Sequence, residues 1–402
     1  MNTKVIPVDS TSITFQPSSS CNEHPFEDPK VLIHSKETEI ALEEASSILH
    51  QKDGIVAFPT ETVYGLGADA RKSEAVLNIY KAKNRPADNP LITHIGSLKQ
   101  LSELIDSTTQ KNKLKGDSGL WENIPLVYKP LIDRYWPGPM SILLPIEGTE
   151  GSPVSKVVTA GQSTFAVRMP EHPVALALIL KSKAPLAAPS ANASTRPSPT
   201  LAAHVFHDLN GKLPLILDGG PCGVGLESTV VNGLCDPPVI LRPGGISLED
   251  IQSCGGVWSR TVVYKPTDDV EKKSFVPQTP GMKYRHYSPT AKVLLFEGMS
   301  EAEANDILQN DYLHANQNTK PPKIGVLTSC RWNVEKFSDM VSVSMCLGRT
   351  GKEIRRNLFS MIRDMDEKQI DIILVEGVES DHEGLAIMNR LGKAASAVYR
   401  SA

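Results

Sequence analysis

Two basic side chains, Lys83 and Arg85, stand two positions apart at the end of a helical pattern. Apolar residues recur at helical spacing over about 73 to 83, and Pro86 disfavours continuation of a helix beyond Arg85. Cations fixed at this point suit the stabilisation of charge on a phosphate group. The alternative is structural, because Lys81 and Lys83 would also interact favourably with the C-terminal end of the helix dipole.

Other polar side chains follow short apolar runs, at the points where those runs are expected to end as strands. A guanidinium next to a buried strand needs a carboxylate partner or an anionic ligand, although Arg168 could also be a surface residue and His94 an ordinary core histidine. We find no pair of catalytic carboxylates and no Ser/His/Asp set, so the pattern favours anion positioning over hydrolysis. The positions concerned are Thr62, His94, Arg168, Ser190, Asn192, Ser228 and Arg242.

The composition is that of an ordinary soluble globular protein of two or three domains, with 402 residues, 40% apolar and 22% charged. A net charge of -4 gives no general attraction to nucleic acid or membrane. Six cysteines without a CxxC pair argue against structural zinc and a disulfide framework, and favour a reducing compartment. No run has the length of a membrane span and no secretory signal is recognisable, so we expect a cytoplasmic protein without a membrane partner, a mitochondrial fraction remaining open.

Four regions are expected along the chain. We expect residues 1–30 to form a flexible N-terminal arm, in which TSITF could form an edge strand. We expect residues 31–257 to form a catalytic domain. The charged, proline-containing stretch 258–290 predicts a linker or lid. Strand and helix patterns alternate over 291–402, which predicts a small Rossmann-like parallel α/β domain ending in a helix from about 384 to 399. That domain has neither GxGxxG nor a Walker A lysine loop.

Six short motifs occur in a fixed order: PTETVYGLG, KNRP followed by NPL and HI, AVRMP, PSAN, LESTVV and LRPG. Together they resemble the YrdC-like family of threonylcarbamoyl-AMP synthases over about residues 35 to 250. The later stretches PGMKYRHYSP and GLAIMNRLGKAAS resemble the long, two-domain branch of that family. The resemblance implies an N-terminal twisted mixed sheet with helices around a concave cationic site, followed by the parallel α/β domain.

The resemblance also implies an activity, in which L-threonine, bicarbonate and ATP give L-threonylcarbamoyl-adenylate and pyrophosphate, with magnesium bridging the phosphates. The product would pass to a tRNA threonylcarbamoyl-transferase complex, and tRNA itself is a weaker candidate partner. No metal bound by the protein is implied. The implied residues are Lys83 and Arg85 for catalysis, Thr62, His94, Arg168 and Ser228 for L-threonine, and Arg85, Asn89, Ser190, Asn192, Ser198, Arg242 and Tyr284 for ATP.

Two other functions remain open at this point. A concave cationic surface could hold an RNA backbone, in which case binding would depend steeply on salt and no ATP would be consumed. A carbamoyl-adenylate-forming transferase that does not use threonine is the second alternative, and a requirement for threonine separates it from the synthase. A polar insertion at about 107–124 leaves the distance between His94 and Arg168 unpredicted.

Overall fold

A computed structural model describes residues 2–17, 24–106, 121, 124–146, 154–265, 286–313, 321–329, 331–337 and 341–401. The chain forms two compact units. The first consists of Met1–Ser194, Pro199–Gly223 and Glu227–Lys283, and the second of Thr195–Ser198, Val224–Leu226 and Tyr284–Ala402. Two short segments of the expected catalytic domain therefore belong to the second unit, which the prediction of one linker did not anticipate.

The first unit is built on a mixed sheet whose order is β1-β10-β4-β5-β9-β6-β8-β7-β11-β12-β13. A separate antiparallel pair joins β2 and β3. The strands are β1 (Lys4–Pro7), β2 (Ile13–Gln16), β3 (Lys30–Ile33), β4 (Val56–Phe58), β5 (Gly65–Asp69), β6 (Ile92–His94), β7 (Met140–Pro145), β8 (Thr164–Arg168), β9 (Leu186–Ala187), β10 (Leu215–Asp218), β11 (Thr229–Asn232), β12 (Val239–Arg242) and β13 (Val262–Val263). This arrangement confirms the predicted mixed sheet.

Helices cover both faces of this sheet, so alternate residues of one strand enter different cores. In β4, Ala57 packs into one apolar cluster, whereas Val56 and Phe58 pack into another. The burial of all three residues explains why this strand is a continuous apolar run. The helices of the first unit are α1 (Lys36–His50), α2 (Ser73–Lys83), α3 (Leu98–Asp106), α4 (Lys129–Tyr135), α5 (Lys156–Thr159), α6 (Pro173–Ser182), α7 (Ala202–Leu209) and α8 (Leu248–Gln252), with 3-10 turns at Ser10–Ser12, Leu126–Tyr128 and Gly256–Arg260.

The expectation of a flexible arm over 1–30 is wrong for its described strands. β1 pairs in parallel with β10, and the buried Thr3 hydroxyl donates to the Leu213 carbonyl at 2.7 Å. The edge strand expected in TSITF is confirmed as β2. Main-chain hydrogen bonds to a neighbouring strand hold this region in place. Such bonds do not depend on side-chain composition, so the polar composition of the segment could not predict them.

The second unit contains a five-stranded parallel sheet of order β16-β15-β17-β14-β18 in its described part, which confirms the Rossmann-like prediction. The helix predicted to run to 399 ends instead at Ala394, and a strand follows it. The strands are β14 (Lys292–Glu297), β15 (Ile324–Thr328), β16 (Val341–Cys346), β17 (Ile372–Glu376) and β18 (Ala397–Arg400); the helices are α9 (Glu301–Ile307), a π-helical turn (Leu308–Leu313), a 3-10 turn (Val334–Lys336), α10 (Gly351–Glu367) and α11 (His382–Ala394).

The linker predicted at 258–290 overlaps ordered structure at both ends. Val262–Val263 adds the strand β13 to the first sheet, and Ser288 donates its N–H to the Thr195 carbonyl within the second unit. Residues 266–285 lie outside the described part of the chain, as does most of the 107–124 insertion.

Cys346 is disulfide-bonded, whereas Cys222, Cys235 and Cys254 are free. A single disulfide is not the disulfide framework that the cysteine spacing argues against.

Replacing Tyr128 with Phe tests the packing of β7 against the loop after β11. The buried hydroxyl of Tyr128 donates to the Leu143 carbonyl at 2.6 Å and accepts from the Gly233 N–H at 2.9 Å. Tyr128→Phe leaves both groups without this partner, so we expect urea unfolding to show a loss of about 2 kcal/mol. Tyr135→Phe is the control, because its hydroxyl bonds to Asp250 at the surface; an equal loss in the two variants would contradict the argument.

Candidate active site

The end of helix α2 holds Lys83 in a buried position. Asn84 adopts a left-handed conformation, with φ of 52°, and closes the helix immediately after the lysine. The Lys83 ammonium donates to the carbonyl oxygens of Ser190 and Asn192, the second at 2.6 Å. The side chain of Asn192 lies at 3.4 Å from the same nitrogen. Main-chain carbonyl dipoles therefore fix the ammonium without needing a particular side chain at position 190.

The segment that supplies these carbonyls is itself attached to the start of β5. Gly65 and Ser190 form an isolated antiparallel bridge, and the Ala191 N–H donates to the Tyr64 carbonyl at 2.8 Å. Ser190 is half-buried. The predicted Ser-x-Asn motif is thereby brought beside both Lys83 and the stretch that follows β4.

The loop after α2 places Arg85 and Asn89 near one tyrosine. The Tyr80 hydroxyl donates to the Asn89 carbonyl at 2.6 Å. Burial raises the pKa of Tyr80 to about 12, and the nearby Arg85 guanidinium opposes that rise. Arg85 is half-buried, whereas Asn89 is fully buried and its Oδ1 has no hydrogen-bond partner among the described residues. That amide oxygen is available to a ligand.

A row of polar side chains crosses neighbouring strands on one face of the sheet. His94 of β6 pairs in register with Arg168 of β8, and paired residues project to the same face. Farther along the sheet, Val230 of β11 pairs with both Ser141 of β7 and Arg242 of β12. The structure therefore brings His94 and Arg168 together, which the sequence left unpredicted because of the intervening insertion.

Arg168 is 3% exposed and uses its guanidinium in three directions. Nε donates to the Gly138 carbonyl at 3.1 Å, Nη1 to the Thr62 hydroxyl at 2.9 Å and Nη2 to Glu61 at 2.5 Å. The partner that the sequence required for this cation is therefore a carboxylate of the protein itself. Two of the five N–H groups of the guanidinium, one on each terminal nitrogen, are not used by these bonds.

The Thr62 hydroxyl belongs to a short directed chain of hydrogen bonds. Thr60 donates its hydroxyl proton to the Val63 carbonyl at 2.7 Å, so Thr62 must donate in the 2.7 Å contact between the two threonine hydroxyls. Thr62 also accepts from Arg168. A hydroxyl oxygen has two lone pairs, so one acceptor position on Thr62 remains for a ligand.

His94 is held neutral. Burial, followed by the nearby Arg168 cation, lowers the pKa of its imidazole to about 3. Its Nδ1 has no hydrogen-bond partner among the described residues, and its ring meets Phe58 edge-on at 6.5 Å between centroids. A neutral imidazole with an unpartnered nitrogen can bind a polar group of a ligand without adding charge.

The far end of the row consists of two buried serines and Arg242. The guanidinium of Arg242 donates to the Ser228 carbonyl at 3.0 Å and to its hydroxyl at 3.1 Å. Ser141 and Ser228 share a hydrogen bond of 2.8 Å between their hydroxyls. Ser228 is thus positioned by a cation and by a neighbouring hydroxyl on the same face.

The predicted nucleotide-binding residues also include Ser198 and Tyr284. Ser198 is buried, and it belongs to the segment Thr195–Ser198 of the second unit. Tyr284 lies outside the described residues. Their roles stay predictions.

Sequence reasoning missed Glu61 and Ser141, the two residues that position Arg168 and Ser228. A signal for Glu61 existed, because a buried arginine requires a carboxylate or an anion, and Glu61 lies in the polar stretch after β4. No comparable signal marks Ser141, which resembles any small residue in a buried strand.

Comparison with known proteins gives two family matches along the chain. Residues 49–244 match the Sua5/YciO/YrdC family model, described as "Telomere recombination". Residues 246–396 match the model described as "Threonylcarbamoyl-AMP synthase, C-terminal domain". No helix in the described part of the chain is both long and apolar enough to cross a membrane.

Similar proteins match over nearly the whole chain. A Schizosaccharomyces pombe protein named threonylcarbamoyl-AMP synthase is 61% identical over 404 residues, covering 99% of each chain. A Pyrococcus abyssi protein of the same name is 44% identical, over 85% of this chain and 90% of its own. A crystal structure of P. abyssi Sua5 complexed with L-threonine covers 100% of both chains, at 38% identity and a TM-score of 0.77.

The family models and the relatives that match over most of the chain place it in a class of adenylate-forming enzymes of nucleotidyltransferase type. The chain belongs to the threonylcarbamoyl-AMP synthase family, with the Sua5/YrdC domain followed by the family's C-terminal domain. The resemblance seen in the sequence motifs is confirmed.

The low pKa of His94 predicts how stability depends on pH. The folded protein keeps this imidazole neutral down to about pH 3, whereas in the unfolded chain it binds a proton below about 6.5. Acidification therefore favours unfolding, and the contribution of His94, fully present above pH 6.5, falls by about 1.4 kcal/mol per pH unit below it. Between pH 7 and 4.5, the free energy of unfolding measured in urea should therefore fall more steeply with acidification for the natural protein than for His94→Gln.

The natural protein and His94→Gln differ in no other ionisable group, so the difference between their slopes reports His94 alone. Equal slopes would mean that His94 binds its proton at the same pH in the folded and unfolded states.

Proposed function

We propose that this chain converts L-threonine, bicarbonate and ATP into L-threonylcarbamoyl-adenylate and pyrophosphate. The observation that carries the proposal is the likeness, over 99% of each chain, to a protein named threonylcarbamoyl-AMP synthase. The buried polar row from His94 to Arg242, next to the Lys83 site, supports it chemically. An alternative that does not use threonine differs in one measurable respect, the requirement for that amino acid.

The threonine site of this proposal lies between β4, β6 and β8. The two unused N–H groups of Arg168 would receive the threonine carboxylate, although Glu61 already neutralises part of its charge. The free acceptor position on Thr62 and the neutral His94 offer polar contacts for the amine or the hydroxyl. Ser228 is the fourth member of the predicted set. A site built for the hydroxyl should reject an analogue that lacks it.

The chemistry of the proposed reaction needs no protein nucleophile. The threonine amine attacks the bicarbonate carbon and water leaves, which gives a carbamate. A carbamate oxygen then attacks the α-phosphorus of ATP, and the bond from that phosphorus to the pyrophosphate oxygen breaks. Negative charge grows on the phosphates during this step, and Lys83 and Arg85 are proposed to stabilise it from positions fixed before the reaction.

The remaining nucleotide contacts are proposed for Asn89, Ser190, Asn192, Ser198, Arg242 and Tyr284. The Oδ1 of Asn89, which has no hydrogen-bond partner among the described residues, offers an acceptor in the loop after α2, and the half-buried Ser190 offers a hydroxyl beside Lys83. Asn192 also contacts the lysine through its own side chain, at 3.4 Å, which makes it a positioning residue as well.

Magnesium is proposed to arrive on the triphosphate. Among the described residues, no group of three or more His, Cys, Asp or Glu side chains converges into a metal site. The cationic residues present instead fit the phosphates, and magnesium is commonly bound through phosphate oxygens and water. When bound, the ion would neutralise phosphate charge, while Lys83 and Arg85 would orient the oxygens.

The product is proposed to be consumed by a tRNA threonylcarbamoyl-transferase complex in the cytoplasm, without membrane involvement. A mixed carbamic–phosphoric anhydride is a reactive acyl donor, so the reaction that uses it must be an acyl transfer. The net charge of -4 favours release of this product over stable binding of tRNA by the synthase.

Pyrophosphate release by the purified full chain tests the proposal. We expect release with ATP and magnesium only when L-threonine and bicarbonate are both present, together with the adenylate in mass spectra. Release that is indifferent to threonine would favour a carbamoyl-adenylate-forming transferase, and salt-sensitive RNA binding without release would favour an RNA-binding module.

Replacing Lys83 with Met tests the phosphate-binding role of the lysine. Loss of this donor should lower kcat by the equivalent of about 2 to 4 kcal/mol of transition-state stabilisation. Lys81→Met, at an exposed position of the same helix end, is the control and should keep its kcat. A folded Lys83→Met protein with natural kcat would leave the lysine with a structural role only.

Replacing Ser190 with Ala should give a different kinetic result from Lys83→Met. Ser190 contacts the lysine through its main-chain carbonyl, which the substitution retains. We therefore expect a raised KM for ATP with kcat little changed, because only a hydroxyl contact to the nucleotide is lost. A loss of kcat as large as that of Lys83→Met would show that the side chain positions the lysine.

Replacing Arg168 with Lys tests the threonine site. An ammonium cannot serve Gly138, Thr62 and Glu61 at once and also bind a carboxylate in two places. We expect kcat/KM for threonine to fall by a factor on the order of 30 or more, with a smaller change in the KM for ATP. Arg134→Lys is the exposed control, and an equal effect on both substrates would argue against a specific threonine contact.

A further inference from the structure

A cavity of about 590 Å³ lies at the carboxyl edge of the parallel sheet in the second unit. Its lining includes Phe296 and Glu297 at the end of β14, and Glu376 and Gly377 at the end of β17. The volume is in the range typical of small-molecule sites. The cavity lies outside the catalytic cluster described above.

The position of this cavity follows from the topology of the sheet. β14 and β17 are neighbours, but the chain leaves β14 towards β15 on one side and leaves β17 towards β18 on the other. Right-handed crossovers place the two following helices on opposite faces, which opens a crevice between the strand ends. Ligands of open parallel sheets bind at such points.

The floor of the cavity is aromatic. Trp332 is 6% exposed, and its ring packs against Phe296 with centroids 5.6 Å apart and an interplanar angle of 61°. The indole N–H donates to the Met299 carbonyl at 2.9 Å, which fixes the ring. Met388 is also part of the lining. These side chains supply the apolar part of a lining that is mostly polar, and the face of an indole favours a cation.

The wall of the cavity carries an incompletely bonded carboxylate. Glu376 is 4% exposed, and one of its oxygens accepts from the Thr328 hydroxyl at 2.6 Å and from the Ser329 N–H at 2.7 Å. Within the described part of the chain, the other oxygen has an ion pair with Arg331 at 3.7 Å and no hydrogen bond. A buried carboxylate gains most from short charge-assisted hydrogen bonds, and this oxygen lacks one within the described residues.

Arg331 lies at the mouth of the cavity, and its contacts there are long. Its half-exposed guanidinium lies 3.5 Å from Glu379 and donates to the Gly377 carbonyl at 3.3 Å. All of these distances exceed those of strong charge-assisted bonds, so a ligand cation could displace the side chain. Glu376 and Glu379 both pair with this one arginine in the lining, while Arg400 pairs with Glu297 at 2.8 Å. The excess charge is negative.

We propose that this crevice binds a small organic amine, with its ammonium on Glu376 and its apolar body on Trp332 and Met388. The ligand would displace Arg331 from Glu376. The proposal does not depend on the adenylate-forming activity, since the cavity is lined by the second unit alone.

Ligand-observed NMR with the full-length protein tests the proposal, with n-pentylamine as probe and 1-pentanol as its uncharged counterpart. We expect the amine to bind and the alcohol to bind at least about tenfold more weakly, since it lacks a charge-assisted bond. Glu376→Gln should weaken amine binding by a similar factor. Glu367→Gln, an exposed change of the same charge on α10, should leave it unchanged.

A second variant distinguishes a direct effect on amine binding from loss of binding caused by misfolding. Arg331→Ala removes the competing cation at a half-exposed position, so amine affinity should rise by about threefold. Weaker amine binding in Arg331→Ala would overturn the proposal, because Arg331 would then support the bound amine rather than compete with it for Glu376. Equal binding of amine and alcohol, binding of magnesium alone, or no amine binding by the folded protein at millimolar concentration would overturn it as well.

Discussion

The buried charge of Arg168 is the constraint on which the arrangement of the first unit depends. A guanidinium that is 3% exposed must be compensated, and Glu61, Thr62 and the Gly138 carbonyl do so from different parts of the chain. The stretch after β4 and the turn before β7 are thereby tied to the end of β8. This one residue also lowers the pKa of His94 and so helps to set the electrostatics of the neighbouring strand.

The sequence predicted the strands and polar stretches well where local pattern decides the outcome. Helix α2 begins and ends where apolar spacing and Pro86 predict, and the alternation after 291 correctly indicates a parallel sheet. The sequence predicts a helix where the final strand β18 lies, because four residues with alternating burial leave little periodic signal. The N-terminal strand β1 is not predicted, because its stability comes from its pairing with the distant strand β10 rather than from composition.

For the candidate site, the sequence predicts which side chains have a function, but it does not predict which groups they bind in the folded protein. The sequence marks Arg168 and Lys83 as cations that need explanation, but only the fold shows that one binds a carboxylate and the other binds main-chain carbonyls. The pairing of His94 with Arg168 could not be predicted, since strand register across an insertion is a tertiary property. The neutrality of His94 follows from that pairing and from burial.

The anchorage of Lys83 on main-chain oxygens has a consequence for how this loop can change during evolution. A bond to a carbonyl depends on the path of the chain and is insensitive to which side chain the residue bears. Side chains other than Asn192 in this loop, between the end of β9 and α7, can therefore change while the lysine keeps its place, although a change at Ser190 or Ser198 would alter a proposed nucleotide contact. Insertions or deletions there would shift the carbonyls themselves, so length should be the more restricted property of this loop.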